Sequence, residues 1–473
     1  MTLNFRTRKS RTIIVAVFAL TVSGCASFSE DGGFNAVESV AKKHLNKEVK
    51  WARTDIQSGE IAKKVAQLLG ETLTADSAVQ IALLNNRGLQ ASYQELGISE
   101  AAVVNAGTVP NPGFSFGRFR KGDEREIERS WHFNLARLLF MPMVKSMADR
   151  QFQQTQSAVA GKVVELATDT RKAFYDAVAA QQRLGYMQEV KKTADTGAKL
   201  ARRMARIGNL TKVQQAREQG FYADSVVNLI RAKRSDFAAR EKLIRMMGLW
   251  GHQLKFALPD RLSDLPEAPR ELPNAEKQAM AQRLDIQGAR LSVERMAKNL
   301  KLTKVSRFVN VLEFGHERES SNEGDRRLGY EIGFEVPLFN WSGAKTRMAE
   351  SAYMQAVQDA AKLAINARSE VRDAYIGYRS TYDVARLYRD EIVPARKRVS
   401  EENLYRYNGM IIGVFELLAD ARSQVAAVDG YIQALKDYWN AESDLEMALL
   451  GKPSISAMTA GMVGADAGGG GDH

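Results

Sequence analysis

The sequence predicts a mainly α-helical, internally duplicated chain with four β-strands that contribute to a membrane β-barrel. Three observations predict it. The halves of the chain align with one another: Arg171 falls on Arg372, Phe174 on Tyr375 and Gly208 on Gly409, an offset of 201 residues. Self-similarity of this kind has to be read before a fold is named. Each half also holds a very long stretch nearly free of glycine and proline, at 143–208 and 344–409. Each half, finally, holds a pair of strands in which apolar and polar residues alternate, the pattern of a barrel strand.

The chain opens with Arg6, Arg8, Lys9 and Arg11, an apolar run at 13–20, and then small residues. That is the order of a secretory signal, so 1–24 reads as a signal peptide. The apolar run is shorter than the about 20 residues a membrane helix needs. Cys25 follows, the one cysteine of 473 residues, so no internal disulfide can form. An ordinary signal peptide with an incidental cysteine is one reading. The sharper one is that Val22-Ser-Gly-Cys25 resembles a bacterial lipobox. The resemblance makes Cys25 a lipid-attachment point and the new N-terminus. It also points to the outer membrane, because Ala26 stands where an aspartate would mark inner-membrane retention. Cleavage before Cys25 removes four basic and no acidic residues and lowers the formal net charge from +11 to +7. The remaining excess is dispersed along the chain, which argues against a nucleic-acid partner.

Residues 25–72 are expected to form a lipid-anchored, extended N-terminal segment along the outside of the molecule. The first repeat covers 73–258 and the second 275–452. Between them, 259–274 holds four of the ten prolines and reads as a linker. The tail at 453–473 is glycine-rich and is expected to be disordered.

Within the repeats the helices carry heptad-like seams. Thr170, Phe174, Ala177, Gln181 and Leu184 form one. Val371, Tyr375, Tyr378, Tyr382 and Ala385 form its counterpart, and Val425, Val428, Ile432, Leu435 and Trp439 a third. The seams are narrow and several members are small or polar, which suits helices side by side in a tube wall. The strands are expected at 113–119, 127–135, 305–314 and 328–338, joined in pairs by charged loops at 121–126 and 317–327. Leu328, Tyr330, Ile332, Phe334 and Val336 share one face. Ile127, Trp131 and Phe133 share another that Arg129 interrupts. A half-buried soluble sheet uses the same alternation; the lipobox favours the membrane. In lipid every backbone group needs a partner, so the sheet must close. Single-chain barrels begin at about eight strands, so four strands demand an oligomer.

The chain is similar to the TolC-like outer-membrane efflux family, in its lipoprotein branch. The matching stretches are "LTADSAVQIALLNN" with "LQASYQEL", "VPNPGFSF", "FEVPLFNWSGAKTRMAESAYMQAV", "RIGNLTKVQQAREQGFYAD" and "YRYNGMIIGVFELLADARSQ", covering roughly 73–451. The resemblance implies a homotrimer whose protomers each give four strands to a 12-stranded barrel, above an α-helical barrel that crosses the periplasm of a Gram-negative bacterium. It also implies a periplasmic adaptor and an inner-membrane pump as partners, outer-membrane lipid around the barrel, and a passive duct that spends no energy.

The glycine breaks read as helix reversals, because glycine admits the left-handed conformation such a turn needs. By the resemblance, Gly208, Asn209, Leu210, Gly409, Met410 and Gly413 are periplasmic tips that meet the adaptor. Glu416 and Asp420, just past the second tip, are candidates for a channel constriction; an outward, solvated helix face is the other assignment. A threefold ring of carboxylates would attract cations. At the strand-to-helix corner, "PLFNWSGAK" offers Pro337 and Gly343 for the turn, and "RLLFMPMVK" places Pro142 where Gly343 stands. Met141, Met143 and Met147 gather there. Thioethers select Cu(I), but methionine is also ordinary apolar filler. His44, His132, His252, His316 and His473 show no metal-ligand spacing, so no metal and no cofactor beyond the lipid on Cys25 is expected. No nucleophile–base pair or phosphate loop stands out, and no enzyme activity is expected. A lipid-anchored periplasmic scaffold or adaptor is the alternative function.

Overall fold

The computed structural model describes residues 27–307, 311–324, 326–335 and 341–453. Cys25, the signal peptide, Val336, Pro337 and the tail from 454 lie outside them. The element order is α1 (Phe34–Val40), a π-helical turn (Ala41–Leu45), α2 (Asp55–Leu69), α3 (Ala75–Asn85), α4 (Arg87–Ala106), β1 (Gly113–Lys121), β2 (Glu124–Asn134), α5 (Leu135–Arg206) and α6 (Lys212–Met247). Then follow α7 (Ala275–Gln282), α8 (Leu284–Ser306), β3 (Leu312–Ser321), β4 (Arg326–Phe334), α9 (Gly343–Leu387), a π-helical turn (Tyr388–Ile392), α10 (Val393–Asn408) and α11 (Val414–Leu450). Among the described residues no helix is long and apolar enough to cross a membrane.

Several boundaries differ from the expectation. Residues 25–72 are not simply extended: Thr54 opens α2 with a capping box, its side chain accepting from the Gln57 amide while Gln57 reaches back. Val305 ends inside α8 rather than starting β3. The charged loops are also shorter than expected. The β1–β2 turn is Gly122-Asp123 and the β3–β4 connection is 322–325, so most of those charges lie within paired strands. The first corner is made by Asn134, not Pro142. Asn134 Oδ1 accepts the Arg137 amide at 2.8 Å, the geometry of a helix N-cap, and Pro142 falls inside α5. In the second half the left-handed residue is Ser342, at φ 55°, and Gly343 already begins α9. Pro394 does not break its helix either. It sits in the first turn of α10, just after the π turn that absorbs its missing N–H.

The chain divides into two compact units, and each draws on both halves of the sequence. One takes residues up to Val37, Ser92–Val159 and Ile286–Leu363; it contains the sheet. The other takes Glu38–Ala91, Ala160–Asp285 and the residues from Ala364 onward.

The second unit holds the main core. The expected seams face inward there: Thr170, Phe174, Ala177, Val371, Tyr378, Tyr382, Ala385, Ile432 and Leu435 are all buried. The proline-rich linker is part of this core, not a spacer. Leu262 and Leu265 are buried in it. Tyr382 Oη donates to the Glu267 carbonyl at 2.6 Å, Trp439 Nε1 to the Ser263 carbonyl at 3.1 Å, and the Arg270 amide to Tyr378 Oη at 2.8 Å. The end of α6 is closed by Gly248, at φ 66°, where a Cβ would stand 2.9 Å from the Asn85 carbonyl oxygen. Asn85 and Asn86 complete the junction by donating to the carbonyls of Met247, Gly248 and Met246. These are orphan acceptors of a helix terminus.

Candidate functional site

The sheet is antiparallel in the order β1-β2-β3-β4, which leaves β1 and β4 as its edges. Its register sorts the side chains onto two unlike faces. One face carries Phe114, Phe116, Trp131, Phe133, Phe314, Leu328, Tyr330, Ile332 and Phe334. Most of these are exposed, Tyr330 by 77% and Leu328 by 71%. That is a contiguous, mainly apolar surface with His316 between Trp131 and Tyr330, not scattered single residues. The opposite face carries Glu124, Glu126, Glu128, Glu313, Glu317, Glu319 and Glu331, with Ser115, Ser130, His132, Phe119 and Arg327, the last 3.7 Å from Glu319. Ser115 Oγ and Ser130 Oγ lie 2.5 Å apart, and His132 Nε2 is 2.9 Å from Ser130 Oγ. Gly315, Gly329 and Gly333 keep this face low between the carboxylates.

Arg129 does not simply interrupt the apolar face. It stands opposite Arg318, flanked by Phe116 and Leu328 in one cross-strand row. Toward the turns come Arg118 and Arg326, then the opposed pair Arg120 and Arg125. Every arginine in this set is on the apolar face. Sequence reading missed the set because its members lie on four strands; a two-residue spacing, as in Arg118-Phe-Arg120, is its only local trace.

The two helix reversals are built alike but from different residues. At the first, the Gly208 amide bonds to the Ala205 carbonyl at 3.2 Å and the Asn209 amide to Met204 at 3.0 Å. This is a Schellman motif with Gly208 at φ 78°. Thr211 then caps α6 through a capping box with Gln214. At the second, the Met410 amide bonds to Tyr407 at 2.9 Å and the Ile411 amide to Arg406 at 2.8 Å. The left-handed residue is therefore Met410, at φ 58°, and not Gly409, which has φ −77°. Gly413 is the extended N-cap of α11 and Ile411 is exposed. Because a left-handed non-glycine residue costs about 1–2 kcal/mol, Met410→Gly is expected to stabilise the second reversal by about 0.5–1 kcal/mol after the flexibility of glycine is deducted. Gly208→Ala is expected to weaken the first by about 1 kcal/mol. No atom lies near a Cβ at Gly208, so that loss is backbone strain alone. Amide hydrogen exchange across 204–214 and 406–413 measures both.

Glu416 is exposed in the first turn of α11. Asp420 is half-buried and accepts from Asn403 Nδ2 of α10 at 2.9 Å. Next along α11, Arg422 donates to the buried Glu218 of α6 at 2.7 Å and lies over the Phe221 ring at 4.5 Å. Met141, Met143 and Met147 are half-buried on α5. Among the described residues no group of three or more His, Cys, Asp or Glu side chains is placed to hold a metal ion.

Deeper in the second unit, Arg283 is wholly buried, with its guanidinium 2.7 Å from Asp285 and 2.8 Å from Glu370. Burial works against the cation, but the hydrogen bonds and charges of Asp285 and Glu370 outweigh it and raise the Arg283 pKa. Burial raises the carboxyls of Glu442 and Asp444. Lys172, 2.7 Å from Asp444, opposes the second shift.

No protein-family model matches the chain. It is 24% identical to the cobalt-zinc-cadmium resistance protein CzcC of Cupriavidus metallidurans over 277 residues, 56% of this chain and 63% of CzcC. The matched part is thus less than two thirds of that relative's length. Among solved structures the chain is similar to CusC, with a TM-score of 0.67 at 16% identity over 80% of this chain and 92% of that one. It is similar to the outer membrane channel CmeC of Campylobacter jejuni, with a TM-score of 0.67 at 14% identity over 87% and 91%. The outer membrane channel MtrE of Neisseria gonorrhoeae, solved in an open state, gives 0.65 at 15% identity over 79% and 88%.

Proposed function

We propose that this chain, which has the fold of the TolC-like outer-membrane channels, is the passive outer-membrane duct of a tripartite export system. The sheet carries this reading. An exposed apolar face suits lipid, and edge strands left open on both sides cannot rest in a bilayer unpaired. Joining β4 of one copy to β1 of the next closes the sheet, and three copies give 12 strands. The doubled element order, helices then two strands then long helices, supports an internal duplication behind that arrangement. The chain performs no chemical step in this role. Its partners are two further copies of itself, a periplasmic adaptor and an inner-membrane pump. Cys25 carries a lipid that holds each protomer at the membrane before the trimer closes; one such chain alone is a marginal anchor.

On this reading the glutamate face lines the lumen. Glu128 and Glu319 are directly opposed across β2 and β3, and threefold repetition makes rings of such pairs. Rings of carboxylates favour cations and disfavour anions. A cationic cargo is also in keeping with the name of CzcC. The tips at 208–210 and 409–413 contact the adaptor. Glu416, exposed near the second tip, is the better placed of the two constriction candidates, since Asp420 is tied to Asn403 within its own helix pair.

The test is to isolate outer membranes, look for a heat-resistant trimer with β signal, and record its conductance in planar bilayers. A cation-selective pore is expected. Glu128→Gln with Glu319→Gln is expected to lower the cation-to-anion permeability ratio severalfold while the trimer persists. A soluble monomer after Cys25→Ser would sink the duct and favour a lipid-anchored scaffold.

A further inference from the structure

We propose that the arginines on the apolar face of the sheet bind the phosphate groups of outer-leaflet lipids. The inference rests on the duct reading, which puts this face in the membrane and the β-turns at its outer surface.

Three observations carry it. Charge on this sheet is largely sorted by face, Arg327 on the acidic face being paired with Glu319. Arg118, Arg120, Arg125, Arg129, Arg318 and Arg326 all stand on the apolar face, and the seven glutamates all stand on the other. Arginine is then paired with arginine. Arg129 is opposite Arg318 and Arg120 is opposite Arg125, while the adjacent register position pairs Glu128 with Glu319. Like charges directly opposite each other destabilise a sheet. Exchanging the neighbours Arg318 and Glu319 would make both pairs attractive but would set an arginine against Arg327, which now lies 3.7 Å from Glu319. An anion shared between Arg129 and Arg318 removes the repulsion on the apolar side. Among the described residues, none of Arg118, Arg125, Arg129, Arg318 and Arg326 has a carboxylate partner to do so.

Position selects the kind of anion. The six arginines occupy the turn end of the strands, over about 14 Å of strand length. The aromatic and aliphatic residues begin among them, at Ile127, Phe116 and Leu328, and continue away from the turns. A ligand that satisfies both parts has a phosphate at one end and hydrocarbon at the other. Guanidinium groups suit phosphate because they donate two parallel hydrogen bonds. Their long side chains also reach from apolar surroundings toward a head-group layer.

The full-length detergent-purified trimer is to be titrated with bisphosphorylated lipid A, with its dephosphorylated form, and with inorganic phosphate. Wild type is expected to prefer the phosphorylated lipid by roughly thirtyfold, taking Arg129 and Arg318 as the two principal contacts. Arg129→Gln with Arg318→Gln is expected to lose that preference and keep the heat-resistant trimer. Equal binding of the two lipids by wild type would overturn the proposal, as would a double variant that keeps the full preference. Displacement of the lipid by millimolar inorganic phosphate would make the occupant a soluble anion and overturn it too. If the double variant does not assemble, Arg118→Gln with Arg326→Gln, one row nearer the turns, takes its place; a severalfold smaller preference is expected, and an unchanged one would overturn the proposal. A wild type that forms no membrane trimer defeats the duct reading itself; a trimer without phosphate preference defeats the lipid contact alone.

Discussion

Ile332→Arg is expected to prevent the sheet from assembling in a membrane. Ile332 lies on the apolar face, exposed, in the row it shares with Phe133 and Phe314. That row is four residues, about 14 Å, farther from the turns than the row of Arg129 and Arg318, which puts the new cation deep in the apolar band. An arginine near the bilayer midplane of a barrel costs about 2–4 kcal/mol, and closure by three copies would incur it three times. Glu331→Arg is the control, because Glu331 is next to Ile332 in sequence but stands on the acidic face. It is expected to leave the trimer intact and shift ion selectivity toward anions. The readout is the fraction of heat-resistant trimer in outer-membrane extracts. Equal trimer yields from the two variants would refute the assignment of the faces.

Arg283→Met is expected to cost about 3–5 kcal/mol of stability. The arginine is wholly inaccessible and balances two partly buried carboxylates, Asp285 and Glu370, while its Nη1 approaches the Ala448 carbonyl at 3.4 Å. Methionine fills similar volume but leaves both carboxylates without their cation. The loss should fall in the unit that contains Glu370 and α11, which proteolysis or hydrogen exchange localises. Combining the change with Asp285→Asn and Glu370→Gln should recover much of it, because the cost is uncompensated charge and not lost packing. A denaturation midpoint unchanged from wild type would show that the cluster is solvated in the folded protein.

The reading of the sequence and the folded chain part company at particular residues. Each reversal carries a glycine in the sequence, but only at Gly208 is the glycine the left-handed residue. A Schellman motif is set by where the last helical carbonyls stand, and that register put Met410, not Gly409, in the turn. The same one-residue displacement occurs at Ser342 beside Gly343. Pro142 misled for a related reason. A side-chain cap at Asn134 starts α5 several residues earlier, and the helix tolerates the proline. The linker was legible as proline-rich, but its burial depended on tyrosines and a tryptophan more than a hundred residues away.

What the sequence determined by itself is what depends on period and local chemistry. Alternation at every second residue marked the strands, spacing by threes and fours marked the helix seams, and self-alignment marked the repeated order. These signals lie within a few residues of each other or repeat at a fixed offset. What only the tertiary structure decided is what depends on register between distant segments. It set Arg129 against Arg318 and Glu128 against Glu319 across β2 and β3, and it placed Glu370 beside Arg283 in a buried cluster. Pairing across strands is fixed by turn geometry and by which face is covered, and a one-residue slip would have exchanged the two charged faces.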